Sequence, residues 1–290
     1  MAEFQLITDS TTDLSRELVA EMDVHVIPML FTVEDKSYWN TVDEKDMSAH
    51  AFYELLRGGK TATTSQVNSE YFKEQARPFL DAGQDVLYLA FSSGLSGTYN
   101  AACIGAEDLR EEYPDRKIVV VDTLAASMGE GLLVYHAAKL RKGGKALEEV
   151  AKWVEDNRLN LAHWFTVDDL HFLKRGGRVS STAAVVGSML SIKPILHVDD
   201  EGHLIPMEKV RGRRQSLKAL VDHMEKTAIE PENQVVFISH GDVPEDCKLV
   251  ESMIRERCGV KTVYTNNIGP VVGSHSGPGT MALFFLANHR

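Results

Sequence analysis

Short apolar runs alternate with amphipathic stretches through the first half of the chain, and this alternation predicts a parallel sheet covered by helices. Phe4-Gln5-Leu6-Ile7-Thr8 reads as a strand, and Asp9-Ser10-Thr11-Thr12-Asp13 supplies cap-type residues before a helix over 14–22. A strand resumes over 24–30, a small hairpin spans 31–39, and a helix over 46–56 stops at Gly58-Gly59. Thr63-Thr64-Ser65-Gln66 follows as a polar capping loop ahead of a helical stretch over 69–80. The almost purely apolar run 86–91 is a strand followed by a helix over 99–112, and the unit repeats as a strand over 118–121 and a helix over 127–141. Strands so continuously apolar belong inside a sheet covered on both faces.

Beyond Gly143-Gly144, the residues Leu147, Val150, Ala151 and Val154 mark one buried helix face. Strands are expected over 162–167, 193–198, 204–210, 235–240 and 261–265, and Asp199-Asp200-Glu201-Gly202 joins two of them as a hairpin turn. The second sheet is therefore mixed. With 290 residues the chain exceeds the size at which one core stops growing. The expectation is two α/β domains: a parallel-sheet N-terminal domain over 1–160 and a mixed-sheet C-terminal domain over 161–290.

Composition narrows the function classes. Hydrophobic residues make up 43% and charged residues 25%, as in globular proteins. A formal net charge of -11 repels a phosphate backbone, so no nucleic-acid partner is expected, and adhesion to an anionic membrane is disfavoured. Met1-Ala2-Glu3-Phe4 lacks the features of a secretory leader, and no apolar run approaches the ~18 residues of a membrane span, which points to the cytoplasm. Cys103, Cys247 and Cys258 are widely spaced and read as buried thiols, with no disulfide framework or zinc site.

Three stretches carry candidate chemistry. Ser92-Ser93-Gly94-Leu95-Ser96-Gly97-Thr98 follows a strand and opens a helix, the place where parallel sheets bind ligands. Its glycines allow close backbone approach, while its hydroxyls and the helix N-terminus favour an anion; the same run also serves as an ordinary serine-rich N-cap. It lacks the lysine of a phosphate-binding loop and the spacing of a dinucleotide fingerprint. Near the C-terminus, Gly269 to Thr280 sets His275 in a loop of glycines, prolines and small hydroxyl residues, where an imidazole can reach a ligand without steric competition. Lys174-Arg175-Gly176-Gly177-Arg178 is a basic turn suited to a phosphate or an acidic partner, and Arg211-Gly212-Arg213-Arg214 is a second one; a solvated loop explains either equally. Asp168-Asp169 has no companion carboxylates at ligand spacing, so no metal and no other cofactor is expected.

Taken in order, Ile7-Thr8-Asp9-Ser10, Thr64-Ser65-Gln66, the Ser92 to Thr98 run, Leu173 to Arg178 with Ser180, and His275-Ser276-Gly277-Pro278-Gly279 resemble the DegV family over essentially the whole chain. The resemblance implies a two-domain α/β protein that binds a long-chain fatty acid between its domains, with no catalysis of its own. It further implies a separate ATP-dependent kinase subunit that phosphorylates the presented carboxylate, transient membrane contact being compatible with such a carrier. Carried over by position, the carboxylate ligands fall on Thr64, Ser93 and His275, with Ser92 and Ser96 supporting the loop, and the arginine region falls on Arg175 and Arg178. The chain departs from the common pattern at Val67 and at Thr41-Val42, which bears on loop shape. Two alternatives stand beside this reading: a serine acyl hydrolase using Ser93, His275 and Asp9, and a lipid carrier or sensor without a kinase partner.

Overall fold

The computed structural model describes residues 4–179 and 192–290. Ser180, part of the resemblance, lies outside the described residues. The first half folds as β1 (Phe4–Asp9), α1 (Arg16–Met22), β2 (His25–Ile27), β3 (Met29–Val33), β4 (Lys36–Asn40), α2 (Ala49–Arg57), β5 (Ala62–Thr64), α3 (Ser69–Asp81), β6 (Asp85–Ala90), α4 (Thr98–Glu112), β7 (Ile118–Asp122), α5 (Met128–Lys142) and α6 (Leu147–Asn157). The second half follows as β8 (Leu161–Thr166), α7 (His171–Arg175), β9 (Ile192–Val198), β10 (Leu204–Arg211), α8 (Arg213–Thr227), β11 (Val235–His240), α9 (Pro244–Cys258), β12 (Thr262–Asn267), α10 (Pro270–Ser276) and β13 (Met281–Leu286).

Among the described residues, β2-β1-β6-β7 form a parallel sheet, and β10-β9-β8-β13-β11-β12 form a mixed sheet in which only β11 and β12 run parallel. Every residue of β1 and β6 is buried, as expected of strands covered on both faces. The run read as one strand over 24–30 is instead split. Pro28 has no N–H to continue a ladder, so β2 ends in the parallel sheet and β3 enters a small antiparallel sheet, β4-β3-β5.

Side-chain caps set the helix starts more tightly than the apolar pattern does. Ser15 accepts from the Leu18 N–H, Ser48 from that of Ala51 and Asn68 from that of Tyr71. Hence α1 begins at Arg16 and α3 at Ser69. Of the capping loop expected over 63–66, Thr63 and Thr64 belong instead to β5, with Thr64 paired opposite Phe31. The glycine-rich stretch expected as a loop contains α10, opened by Pro270 and ended by Gly277 at φ 79°. Strand β13 was not anticipated, yet it lies at the centre of the mixed sheet between β8 and β11.

One apolar cluster crosses position 160. Leu6, Leu89 and Val121 of the parallel sheet, Leu132 and Leu133 of α5, and Phe165, Phe237 and Phe284 of the mixed sheet belong to it. Helix α5 thus seats the two sheets on each other, with Tyr135 edge-on to Phe237 at 5.7 Å. No helix among the described residues is long and apolar enough to cross a membrane.

Candidate functional site

A cavity of about 200 Å³ opens where the parallel strands end, against one face of the mixed sheet. Phe91 and Leu95 beyond β6, and Ala126 and Ser127 beyond β7, form one wall. This is the carboxyl edge at which open α/β sheets take ligands. The opposite wall is apolar, including Phe165, Val198, Leu204, Ala282 and Phe284. Polar groups gather around Thr64, Ser96, Arg178 and His275.

Thr64 and His275 are 211 residues apart in sequence, and the fold sets Thr64 Oγ1 2.8 Å from His275 Nε2. β5 holds Thr64 and α10 holds His275, so neither sits on the loop expected from sequence. Gly176 lets the imidazole lie close, because a Cβ there would fall 2.2 Å from Nδ1. Nδ1 is buried and meets no hydrogen-bonding partner among the described residues. Burial, and after it the charges of Arg178 and Arg175, push the His275 pKa down to about 4, so the ring is neutral at physiological pH. A neutral imidazole and a hydroxyl can both turn N–H or O–H toward an anion without adding a charge to desolvate.

Arg178 lines the cavity and ties two loops together, its Nε donating to the Leu95 carbonyl at 3.1 Å and its Nη1 to that of Gly176. Arg175 does not line the cavity. It is exposed, with its guanidinium 4.8 Å from the Phe172 ring centroid.

The serines of the 92–98 run divide by role. Ser92 is a fully buried clamp: its hydroxyl donates to the Gly202 carbonyl at 2.9 Å and accepts from the Gly94 N–H, fastening this loop to the β9–β10 hairpin. Ser93 is half-buried and is not among the lining residues of this cavity; its N–H donates to Asp122 Oδ1 at 3.1 Å, beside β7. Ser96 lines the cavity, its Oγ accepting from the Thr98 N–H at 3.2 Å. The structure therefore brings Thr64 and His275 together and sets Ser96 on the cavity; Ser93 lies in the same loop, between the lining residues Phe91 and Leu95. A Ser93–His275–Asp9 set is not assembled. His275 bonds Thr64, and Asp9 is taken up by Thr11, Tyr88 and the Phe91 N–H.

Behind the site lies a buried acidic cluster that the pattern did not single out. Thr11 Oγ1 contacts both Asp9 Oδ1 and Glu130 Oε2, at 2.5 Å and 2.8 Å. One hydroxyl has one hydrogen, so one carboxyl carries a proton. Glu130 fits, since burial, then the Asp9 charge, raises its pKa well above the usual range. Asp13 joins this cluster to α10: its Oδ1 accepts from the Gly269 N–H at 2.8 Å, and its Oδ2 contacts Ser127 Oγ. Ser127 lines the cavity with φ 54°, a region few non-glycine residues occupy.

The basic 211–214 segment does not face the cavity, and Arg213 pairs with Asp246 and Asp168. Asp168 also pairs with Lys193, and Asp169 Oδ1 accepts from the His171 N–H at 2.9 Å. His50, Glu54 and Asp242 bring ligand atoms within 4.8 Å of one another on the surface, but Arg57 already bonds Glu54 and Asp242.

A family model described as an uncharacterised protein of the DegV family matches residues 3–288. A DegV domain-containing protein of Clostridium perfringens is 46% identical over 290 residues, spanning 100% of this chain and 99% of that one. Among solved structures, a DegV lipid-binding protein from Thermotoga maritima is 29% identical with a TM-score of 0.87 over 99% of both chains. A DegV family protein from Thermus thermophilus, described as binding fatty acid, is 29% identical with a TM-score of 0.86, covering 99% of this chain and 100% of that one.

Proposed function

Since the chain belongs to the DegV family, we propose that it binds a long-chain fatty acid in this cavity, with the carboxylate at Thr64 and His275 and the acyl chain along the mixed sheet. The observation that carries the reading is the placement of a paired hydroxyl and neutral imidazole in a cavity whose remaining walls are largely apolar. Each buried methylene contributes roughly 0.8 kcal/mol, so the tail supplies most of the affinity. The head group must be met by donors, because a carboxylate buried without them would cancel much of that gain. Thr64, His275 and Arg178 are such donors, and Ser96, which lines the cavity, adds one from the 92–98 run.

Calorimetric titration with octadecanoic acid tests the assignment. Thr64→Ala and His275→Ala each weaken binding about tenfold or more, Ser96→Ala weakens it measurably, and Ser93→Ala leaves it within about twofold. Wild-type affinity in both the Thr64 and His275 variants sinks the proposal; a loss in Ser93→Ala as large as theirs restores the sequence-based trio.

We further propose that the bound carboxylate is presented to a separate kinase subunit. That subunit supplies ATP and its metal, the carboxylate oxygen attacks the γ-phosphorus, ADP leaves, and an acyl phosphate remains on this chain. The exposed Arg175 supports this reading, since a guanidinium suits a phosphate or an acidic partner. The chain then acts as a binding subunit, its residues 1–160 and 161–290 forming the two walls. Acyl-phosphate formation in the presence of such a kinase, weakened in Arg175→Ala without loss of fatty acid affinity, is the expected result.

A further inference from the structure

His163 lines the acyl cavity and is 1% exposed, yet the head-group chemistry makes no use of it. Its Nδ1 lies 3.2 Å from the Leu161 carbonyl, and a carbonyl can only accept, so Nδ1 carries the hydrogen. Burial pushes the ring well below its ordinary pKa and keeps it neutral. Nε2 is therefore a bare lone pair, and it meets no donor among the described residues. Buried acceptors without partners are rare enough in folded proteins to call for a cause. The chain also makes room for this ring. Gly129, inside α5, is where a Cβ would fall 2.4 Å from Nε2, and Phe284 packs edge-on to the imidazole at 5.4 Å.

The register of the sheet sets how far this acceptor lies from the end of α10, the helix that carries His275. Thr280, Ala282 and Phe284 alternate along one face and all line the cavity, with Ala282 opposite Phe165 and Phe284 opposite His163. Thr280 adjoins the end of α10, its hydroxyl within hydrogen-bond distance of both the Ser276 and the Gly277 carbonyls. Four residues of strand separate it from Phe284, a distance of about 13 Å. An extended acyl chain covers that distance in roughly ten carbon–carbon bonds.

Resting on the fatty acid reading above, we propose that His163 is a specificity-determining residue: its Nε2 accepts a hydrogen bond from a hydroxyl on the middle of the acyl chain, so the cavity prefers hydroxylated long-chain fatty acids. The guest must donate as well as fit. An ether oxygen at the same carbon offers only lone pairs and repels Nε2.

Competition binding on the wild-type protein reads this directly, with octadecanoic, 10-hydroxyoctadecanoic, 12-hydroxyoctadecanoic and 12-methoxyoctadecanoic acids as probes. At least one hydroxy acid binds about fivefold tighter than octadecanoic acid, and the methoxy acid binds no tighter than octadecanoic acid. His163→Leu abolishes the preference, so that the hydroxy acids bind no tighter than octadecanoic acid to that variant, while His163→Gln, whose amide oxygen accepts, retains part of it. If octadecanoic acid binds and neither hydroxy acid binds more tightly, the subsite is overturned and the fatty acid reading stands. If none of the four acids binds, both fall together. The wild-type comparison decides the matter even where a variant fails to fold.

Discussion

Burial moves both Asp13 and His275 toward their neutral forms. Asp13 is pushed up to about 8 by burial, against the opposing hydrogen bonds from Ser127 and Gly269. Its folded pKa exceeds the unfolded value of about 3.8, so the folded state holds a proton that the unfolded chain releases. The stability this contributes is full below the unfolded value and is lost as pH rises toward about 8. Asp13→Asn keeps the neutral shape, so its melting temperature gains on the wild type from pH 5 to 8; parallel curves would contradict the protonated assignment. His275 has the opposite sign. Its pKa falls from 6.5 to about 4, the unfolded chain takes up the proton first, and stability drops as pH falls through that window. His275→Gln flattens this acid limb, which a thermal melt series between pH 4 and 7 reads. At this scale His275 was legible from its unusual surroundings, whereas Thr64 read as part of a capping loop and entered only through the family resemblance. Asp13 and Ser127 were not, because their partners lie more than a hundred positions away and a carboxyl among hydroxyls reads as a helix cap.

Helix α10 shows what pattern reading loses at the level of the element. Gly269, Pro270, Gly273 and Gly277 are breakers in isolation, yet Pro270 at the first turn is compatible with a helix, and Ser274 donates back to the Pro270 carbonyl at 2.7 Å. Gly273 is set by packing: a Cβ there would lie 2.6 Å from Tyr53 Oη, which itself donates to the Ile268 carbonyl. Gly273→Ala overpacks this contact, costs about 1–3 kcal/mol, and shifts the ring of His275 enough to weaken octadecanoic acid binding. A variant with wild-type stability and affinity would show that α10 is free to relax. β13 was missed for a different reason: Met-Ala-Leu-Phe-Phe-Leu is apolar at every position, and such a run carries no period that separates a strand from a helix. The strands with a polar punctuation at each end, such as β1, β6 and β11, were legible within a residue or two.

Across the whole molecule, the parallel sheet supplies loops at its carboxyl edge, the mixed sheet supplies an apolar face, and α5 holds the two together through a shared core. The fold class followed from alternation and length, since these are properties of the chain. The cavity did not, because its depth depends on which side chains meet across the sheets, and acyl-length preference depends on the same packing. The proposed function requires this cavity to enclose one amphipathic chain with its charge at one end. Native mass spectrometry of the protein purified from a bacterial host tests that most directly. One long-chain fatty acid per chain in the wild type, with its occupancy sharply reduced in a Thr64→Ala, His275→Ala double variant of unchanged fold, is the expected result. A wild-type protein that emerges empty and takes up no added fatty acid would contradict the account.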